Sequence, residues 1–351
     1  MIGLTADQIA AEIQTFSDRL KQGAQTLAAV GAIETGVSSR EAVYQEDKLT
    51  LYRYEPRVEN PHPVPLLIVY ALVNRPYMMD LQEDRSLIRG LLEAGLEVYL
   101  IDWGYPSADD HTLTLADYVQ RYIGHCVDVL RERHRVEAIN LLGVCQGGAL
   151  SLCHSALYPA NIRNLVTMVT PVDFQTPDNV LSHLLQHMDV DLLVDTFGNV
   201  PGQLLNFAFL SLSPFRLAGQ KYVDLVDIFD DAQALKNFLR MEKWIFDSPD
   251  QAGEAFRQFA KDFFQQNKLI KGEVLIGDQR VDLREVIMPV LNVYATQDHL
   301  VPPASSKALA ACCGSRDYSE LSFRGGHIGI YVSSRAQREI PPAIAAWLLA
   351  R

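Results

Sequence analysis

Residues 143–148 read Gly-Val-Cys-Gln-Gly-Gly, a Gly-x-nucleophile-x-Gly pattern centred on Cys145. This pattern suits a sharp, strained turn from a strand into a helix, where Gly143 and Gly147 let the two backbones approach and the side chain between them is aimed outward. The amino terminus of the following helix favours a thiolate. Cysteine in place of serine alters the chemistry on offer. An acyl group carried on sulfur is a thioester that keeps most of its transfer potential, whereas an oxygen ester holds less. Cys145 is therefore read as a nucleophile that takes an acyl group from another thioester. The alternative is a buried structural cysteine at an ordinary strand-turn-helix connection.

A cysteine nucleophile needs a base, and enzymes built on this turn place an acid and then a histidine later in the chain. Asp298 follows an apolar run at 290–295, and His327 follows a second run at 318–323, inside Gly-Gly-His-Ile. Both fall at carboxyl ends of predicted strands, the edge at which open α/β sheets build their sites. A turn-forming or helix-capping aspartate and a loop histidine are the competing readings. His299 is a rival base, but the Val-Pro-Pro that follows shortly after it reads as a helix start and gives it a structural role. A tetrahedral oxyanion needs backbone donors. Gln146 N–H, just after the nucleophile, is one candidate; the loop at 71–77 supplies the other, Val73 with Asn74 as the alternative. His183 and His187 stand at i, i+4 spacing without an intervening Glu or a third ligand, so no metal is expected, nor any cofactor.

These side chains require a frame. Strands are predicted at 48–54, 66–71, 97–102, 138–143, 164–170, 290–295 and 318–323, and helices at 81–94, 115–133, 146–158, 304–311 and 335–349. Their alternation argues for a mostly parallel central sheet with helices on both faces. The alternation stops between 172 and 285, where aromatic-faced helices are predicted at 236–246 and 251–266; this insertion is read as a lid or cap. Residues 1–35 show a helical period through Ile9, Ile13, Phe16, Leu20 and Leu27, with a possible capping box of Thr5 and Gln8. That helix is either packed on the core edge or a docking surface. The chain thus divides into an N-terminal helical segment at 1–35, an α/β core at 36–171 and 286–351, and the insertion at 172–285.

With 351 residues and 48% hydrophobic content, the chain can bury a large core in one elaborated domain. No run nears the roughly 18 apolar residues of a membrane span, and the start lacks a secretory layout, so a cytoplasmic protein is expected. The net charge of −12 and the lack of long basic runs argue against nucleic-acid binding. Five cysteines form no framework spacing and are expected as reduced thiols.

Taken in order, five motifs resemble the polyhydroxyalkanoate synthases, most closely the catalytic subunit of the class III, two-component type. They are Tyr-Ala-Leu-Val-Asn-Arg-Pro-Tyr at 70–77, Tyr-Leu-Ile-Asp-Trp-Gly at 99–104, the 143–148 box, Met-Val-Thr-Pro-Val-Asp-Phe at 168–174 and Gly-Gly-His-Ile at 325–328. The match runs near full length. The resemblance implies an α/β-hydrolase fold with a lid and a Cys-His-Asp triad. It also implies polymerisation of short (R)-3-hydroxyacyl-CoA, typically 3-hydroxybutyryl-CoA, into polyester with release of CoA, at the surface of cytoplasmic granules. A non-catalytic second subunit is implied as well, and a homo-oligomer is expected. The short region before the first predicted strand looks like the two-component classes, and Gln146 looks like class III rather than class IV. In this reading His327 takes the proton from Cys145, the thiolate attacks the substrate thioester, and a 3-hydroxyl later attacks the enzyme-bound acyl group. Asp298 either orients His327 or helps activate that hydroxyl. A rival enzyme reading is a cysteine-elbow hydrolase, resembling dienelactone hydrolases or a thioesterase, with water as acceptor. A third, non-enzymatic reading is a scaffold or granule-coat protein.

Overall fold

Short β-branched and aromatic runs between turns become the eight strands of one sheet in the computed structural model, which describes residues 31–212 and 231–351 together with positions 14, 18, 26, 225 and 227–229. The strands are β1 (Arg40–Glu46), β2 (Leu49–Tyr54), β3 (Leu66–Val69), β4 (Val98–Asp102), β5 (Ile139–Val144), β6 (Ile162–Met168), β7 (Val290–Ala295) and β8 (Tyr318–Phe323), in the spatial order β1-β2-β4-β3-β5-β6-β7-β8. β2 runs antiparallel to both of its neighbours, and every other pairing in the sheet is parallel. β3, β4 and β5 are buried along their whole length, as strands covered on both faces must be, so they read as unbroken apolar runs. β1 was not predicted. Its Arg-Glu-Ala-Val-Tyr-Gln-Glu sequence is half-exposed and charged at both ends, the character of an edge strand that resists pairing with another chain.

The helix expected at 81–94 forms only in its second half. Asp80–Gln82 and Arg85–Ser86 pair as a small hairpin, and α1 (Leu87–Glu93) starts where Ser86 Oγ accepts the Arg89 N–H at 2.9 Å. α2 (Ile123–His134) is preceded by a π-helical stretch at Asp117–Tyr122, and α3 (Gln146–Leu157) follows β5 after a single intervening residue.

The insertion after β6 contains α4 (Val180–Gln186), α5 (Val190–Phe197), α6 (Gly202–Ser211), α7 (Ala232–Phe246) and α8 (Gly253–Gln258). It divides into two parts of unlike character. Residues from about Ala252 onward belong to the main core: Phe263, Leu269, Ile276 and Val281 are fully buried, and the Phe174 ring meets those of Phe259, Phe263 and Phe264. At the end of α7, Trp244 is buried in the core beside the sheet, with Met241 and Ile245 packed against it; the other described residues of 180–246 belong to neither large apolar cluster. There Val190, Val194 and Val200 form a small separate cluster with Phe256 and Ala260, while Leu192, Phe197, Phe207 and Phe246 are exposed. Of the helix predicted within 1–35, positions 14, 18 and 26 are described and helical, 31–35 are described and not helical, and the rest lies outside the described residues.

α9 (Ser334–Leu349) closes the chain. It runs through Pro341 and Pro342, and a Cβ at Gly90 would meet the Pro341 ring at 2.6 Å, so that glycine sets how closely α1 and α9 approach. These two helices cover one face of the sheet, with Ile340 and Ile344 against Leu100, Leu142 and Val166; α2 and α3 cover the other, with Val127 and Leu150 against Leu67, Tyr99 and Leu141.

Candidate active site

β5 delivers the chain buried to Val144, and α3 starts at Gln146; Cys145 alone makes the turn, at φ 55° and ψ −123°. A non-glycine residue in this region costs on the order of 1–3 kcal/mol and persists because its surroundings hold it. Here the Cys145 N–H donates to Met168 O at 2.9 Å, tying the turn to the neighbouring strand. Three glycines are fixed by contact. A Cβ at Gly143 would run into Gly148 and the Ser151 side chain, one at Gly147 into the carbonyls of Val69 and Tyr70, and one at Gly148 into Thr170. The role of Gly148 went unread in the sequence, where the doubled glycine was its only signal. Cys145 is half-buried. The other four thiols are held protonated by burial: Cys153 and Cys312 are each pushed up to about 12, Cys126 further, and Cys313 upward.

Asp298 and His327, from the loops after β7 and β8, meet at 2.7 Å between Oδ2 and Nδ1. The other carboxylate oxygen of Asp298, Oδ1, accepts the N–H groups of Leu300 and Val301, each at 2.9 Å. Both side chains are almost wholly buried. Burial works against a charged imidazole, but the Asp298 carboxylate and the Cys145 sulfur outweigh it and push His327 up to about 10. The network assigns the Nδ1 proton to the Asp298 side, which leaves Nε2 for the nucleophile. The buried Tyr331 hydroxyl lies 3.5 Å from Nε2, at the limit of hydrogen bonding, with its ring edge-on to the imidazole. His299 is exposed, as are His183 and His187, and among the described residues no group of three His, Cys, Asp or Glu side chains could hold a metal ion.

Gln146 and Val73 present backbone N–H groups that have no acceptor among the described residues. For Gln146 this follows from its place in the first turn of α3. The loop bearing Val73 is held on both sides. Leu72 N–H donates to the side-chain oxygen of Gln146 at 3.1 Å. The Asn74 side chain reaches the end of α7, where its Nδ2 lies 3.3 Å from Trp244 O, 3.2 Å from Ile245 O and 2.6 Å from Ser248 Oγ. Trp244 Nε1 donates back to Arg75 O at 2.9 Å, and Asp247 accepts the hydroxyls of Tyr77 and Tyr105 at 3.0 and 2.6 Å. Arg75 itself pairs with the buried Asp102 at 2.8 Å. This arrangement offers a strained sulfur nucleophile, an imidazole with a fixed proton on one side, and backbone donors at a helix start, the parts needed for acyl transfer through a tetrahedral intermediate.

Comparison with known proteins adds a second line. Residues 64–333 match the family described as alpha/beta hydrolase fold, and residues 5–91 match the family described as Poly-beta-hydroxybutyrate polymerase (PhaC) N-terminus. The poly(3-hydroxyalkanoate) polymerase subunit PhaC of Allochromatium vinosum is 61% identical, covering 99% of this chain and 98% of its own. That of Thiocystis violacea is 60% identical over the same shares. Among solved structures, a Paleococcus ferrophilus monoacylglycerol lipase aligns with a TM-score of 0.52 at 17% identity, over 86% of this chain and 98% of its own, a likeness of fold alone. With an eight-stranded sheet of this order, a cysteine elbow and full-length identity of this degree, the chain belongs to the poly(3-hydroxyalkanoate) polymerase subunits, PhaC, on an α/β-hydrolase fold.

Proposed function

We propose that this chain polymerises short (R)-3-hydroxyacyl-CoA, typically 3-hydroxybutyryl-CoA, into polyester through a thioester on Cys145. The observation that carries the reading is the full-length identity of 61% to a polymerase subunit, joined to a cysteine elbow beside a buried Asp298–His327 pair. His327 Nε2 holds the proton given up by Cys145, and the thiolate adds to the substrate carbonyl carbon. The N–H groups of Gln146 and Val73 receive the oxyanion. The bond to the CoA sulfur then breaks, and CoA leaves as a thiol with the proton from His327. A 3-hydroxyl next adds to the Cys145 thioester, giving its proton to Nε2; the new ester forms as the bond to Cys145 breaks. Asp298 acts on His327, since its Oδ1 is taken up by two backbone donors and its Oδ2 by the ring.

Residues 180–246 serve as the cover that keeps water from the thioester and moves to admit substrate; the seating of 244–248 against the 71–77 loop supports this. A non-catalytic second subunit of the class III kind, self-association, and a place on cytoplasmic granules belong to the same reading. The exposed Leu192, Phe197 and Phe207 support apolar contact there. No helix among the described residues is long and apolar enough to cross a membrane. The test is to supply purified chain with 3-hydroxybutyryl-CoA, alone and with a co-expressed helical subunit, and follow CoA release against polymer mass. Polymer growth accompanying CoA release is the expected result; free hydroxy acid without polymer would favour a hydrolase.

A further inference from the structure

The loop that carries Val73 is held by groups outside it. On one side, the Gln146 side chain takes the Leu72 N–H at 3.1 Å, so one residue both offers a backbone donor and anchors the neighbouring loop. On the other side stands Asn74, at φ 58°, a conformation that asparagine tolerates better than most residues. An amide nitrogen has two hydrogens. One is directed at Ser248 Oγ at 2.6 Å, and the other is shared by the carbonyls of Trp244 and Ile245 at 3.3 and 3.2 Å. Those carbonyls belong to the last turn of α7, where helix acceptors lack the N–H groups of a following turn; Trp244 O also takes the Asp247 N–H at 3.2 Å. Asn206 of α6 completes the arrangement: its Nδ2 donates to Ile245 O at 2.7 Å, and its Oδ1 accepts the Ser248 hydroxyl at 2.8 Å. The end of α7 is therefore held by Asn74, from the loop beside Cys145, and by Asn206, in addition to its own Asp247 N–H, which reaches Lys243 O and Trp244 O.

Resting on the polymerase reading of this site, we propose that Asn74 is a positioning residue whose side chain ties the Val73 loop to residues 244–248, so that the Val73 N–H meets the oxyanion only while that segment is seated. Displacing the end of α7 then dissolves the oxyanion hole without touching Cys145 or His327. Acyl transfer is thereby confined to the seated state, and an open site holds a nucleophile but cannot stabilise the intermediate.

The test separates these two capacities. Asn74→Asp keeps shape and backbone tolerance but sets a carboxylate against two carbonyls; Asn74→Gly keeps the positive φ and removes the ties. For both, kcat for CoA release should fall on the order of 10–100-fold, with KM changed by less than about twofold. The rate of Cys145 alkylation by iodoacetamide, which needs the thiolate but no oxyanion hole, should stay within about twofold of wild type. Unchanged kcat would overturn the proposal, and so would a parallel loss of kcat and alkylation, which marks a general structural role. Ser248→Ala removes only one hydroxyl and should give the same split at smaller size; it decides the matter if the Asn74 variants do not fold. Running p-nitrophenyl butyrate beside the CoA ester keeps the two readings apart. If wild type turns over the aryl ester and not the CoA ester, the polymerase reading fails, and the split is still measured on the aryl ester.

Discussion

The sheet edge that holds Cys145, Asp298 and His327 and the segment at 180–246 are built on opposite terms. At the edge, a strained turn is gripped by buried strands, three glycines admit no side chain, and both oxygens of Asp298 have partners. In the α4–α6 part of that segment, a small cluster built on Val190, Val194 and Val200 supplies the buried apolar contact, Leu192, Phe197 and Phe207 face solvent, and α5 is tied to the chain beyond it by ion pairs. There Arg257 meets Asp191 and Asp195, and Lys261 meets Asp191. Such pairs, with their carboxylates open to solvent, are screened and hold only weakly. The contrast teaches where precision is needed. Reacting atoms require placement to fractions of an ångström, whereas the path of a substrate and a growing chain requires a part that separates at low cost.

The bluntest way to break this contrast is Cys145→Ala. CoA release should fall by at least about 10⁴-fold with thermal stability nearly unchanged, measured by thiol titration and calorimetry. Asp298→Asn should lower CoA release by roughly 10²–10⁴-fold. It should also slow iodoacetamide alkylation of Cys145, because His327 loses the group that fixes its proton; normal alkylation with lost polymerisation would assign Asp298 to the incoming hydroxyl instead.

Two phenylalanines of the one insertion sharpen the division in folding energy. Phe263→Ala, at a fully buried ring, should cost about 3–5 kcal/mol in urea unfolding. Phe207→Ser, at a side chain 69% exposed, should stay within about 0.5 kcal/mol. Similar costs would mean that the two halves fold as a single packed body. A last probe is the pH dependence of His327. Its folded value is raised from 6.5 to about 10, so the folded state binds its proton more tightly than the unfolded chain does. The stability this confers is fully present below pH 6.5 and is lost as pH rises through about 10. His327→Gln should therefore flatten the fall in melting temperature across that window.

Much of this was legible in the sequence, for reasons that differ by element. The elbow was readable because its glycines answer to backbone geometry, and the meeting of Asp298 with His327 followed from their common place after parallel strands. β1 was hidden because an edge strand with charged ends carries no apolar run. Aromatic periodicity could not tell Phe259 and Phe263, which enter the core, from Phe246, which stays outside; both patterns suit a helix face. The ties of Asn74 were invisible for another reason. They join a side chain to backbone atoms 170 residues away, and such bonds leave no spacing in the chain.

One consequence concerns the turn at Cys145 itself. Its φ of 55° is steeply unfavourable for β-branched side chains, so threonine is disfavoured there by conformation before any chemistry is considered. Serine is not, because it differs from cysteine by one atom and leaves the glycine contacts of 143, 147 and 148 as they are. The frame thus screens its nucleophile for shape and is indifferent to its element. A lineage with this scaffold can exchange sulfur for oxygen in a single step without refolding anything, so the presence of sulfur here records a demand made by the reaction and not by the packing.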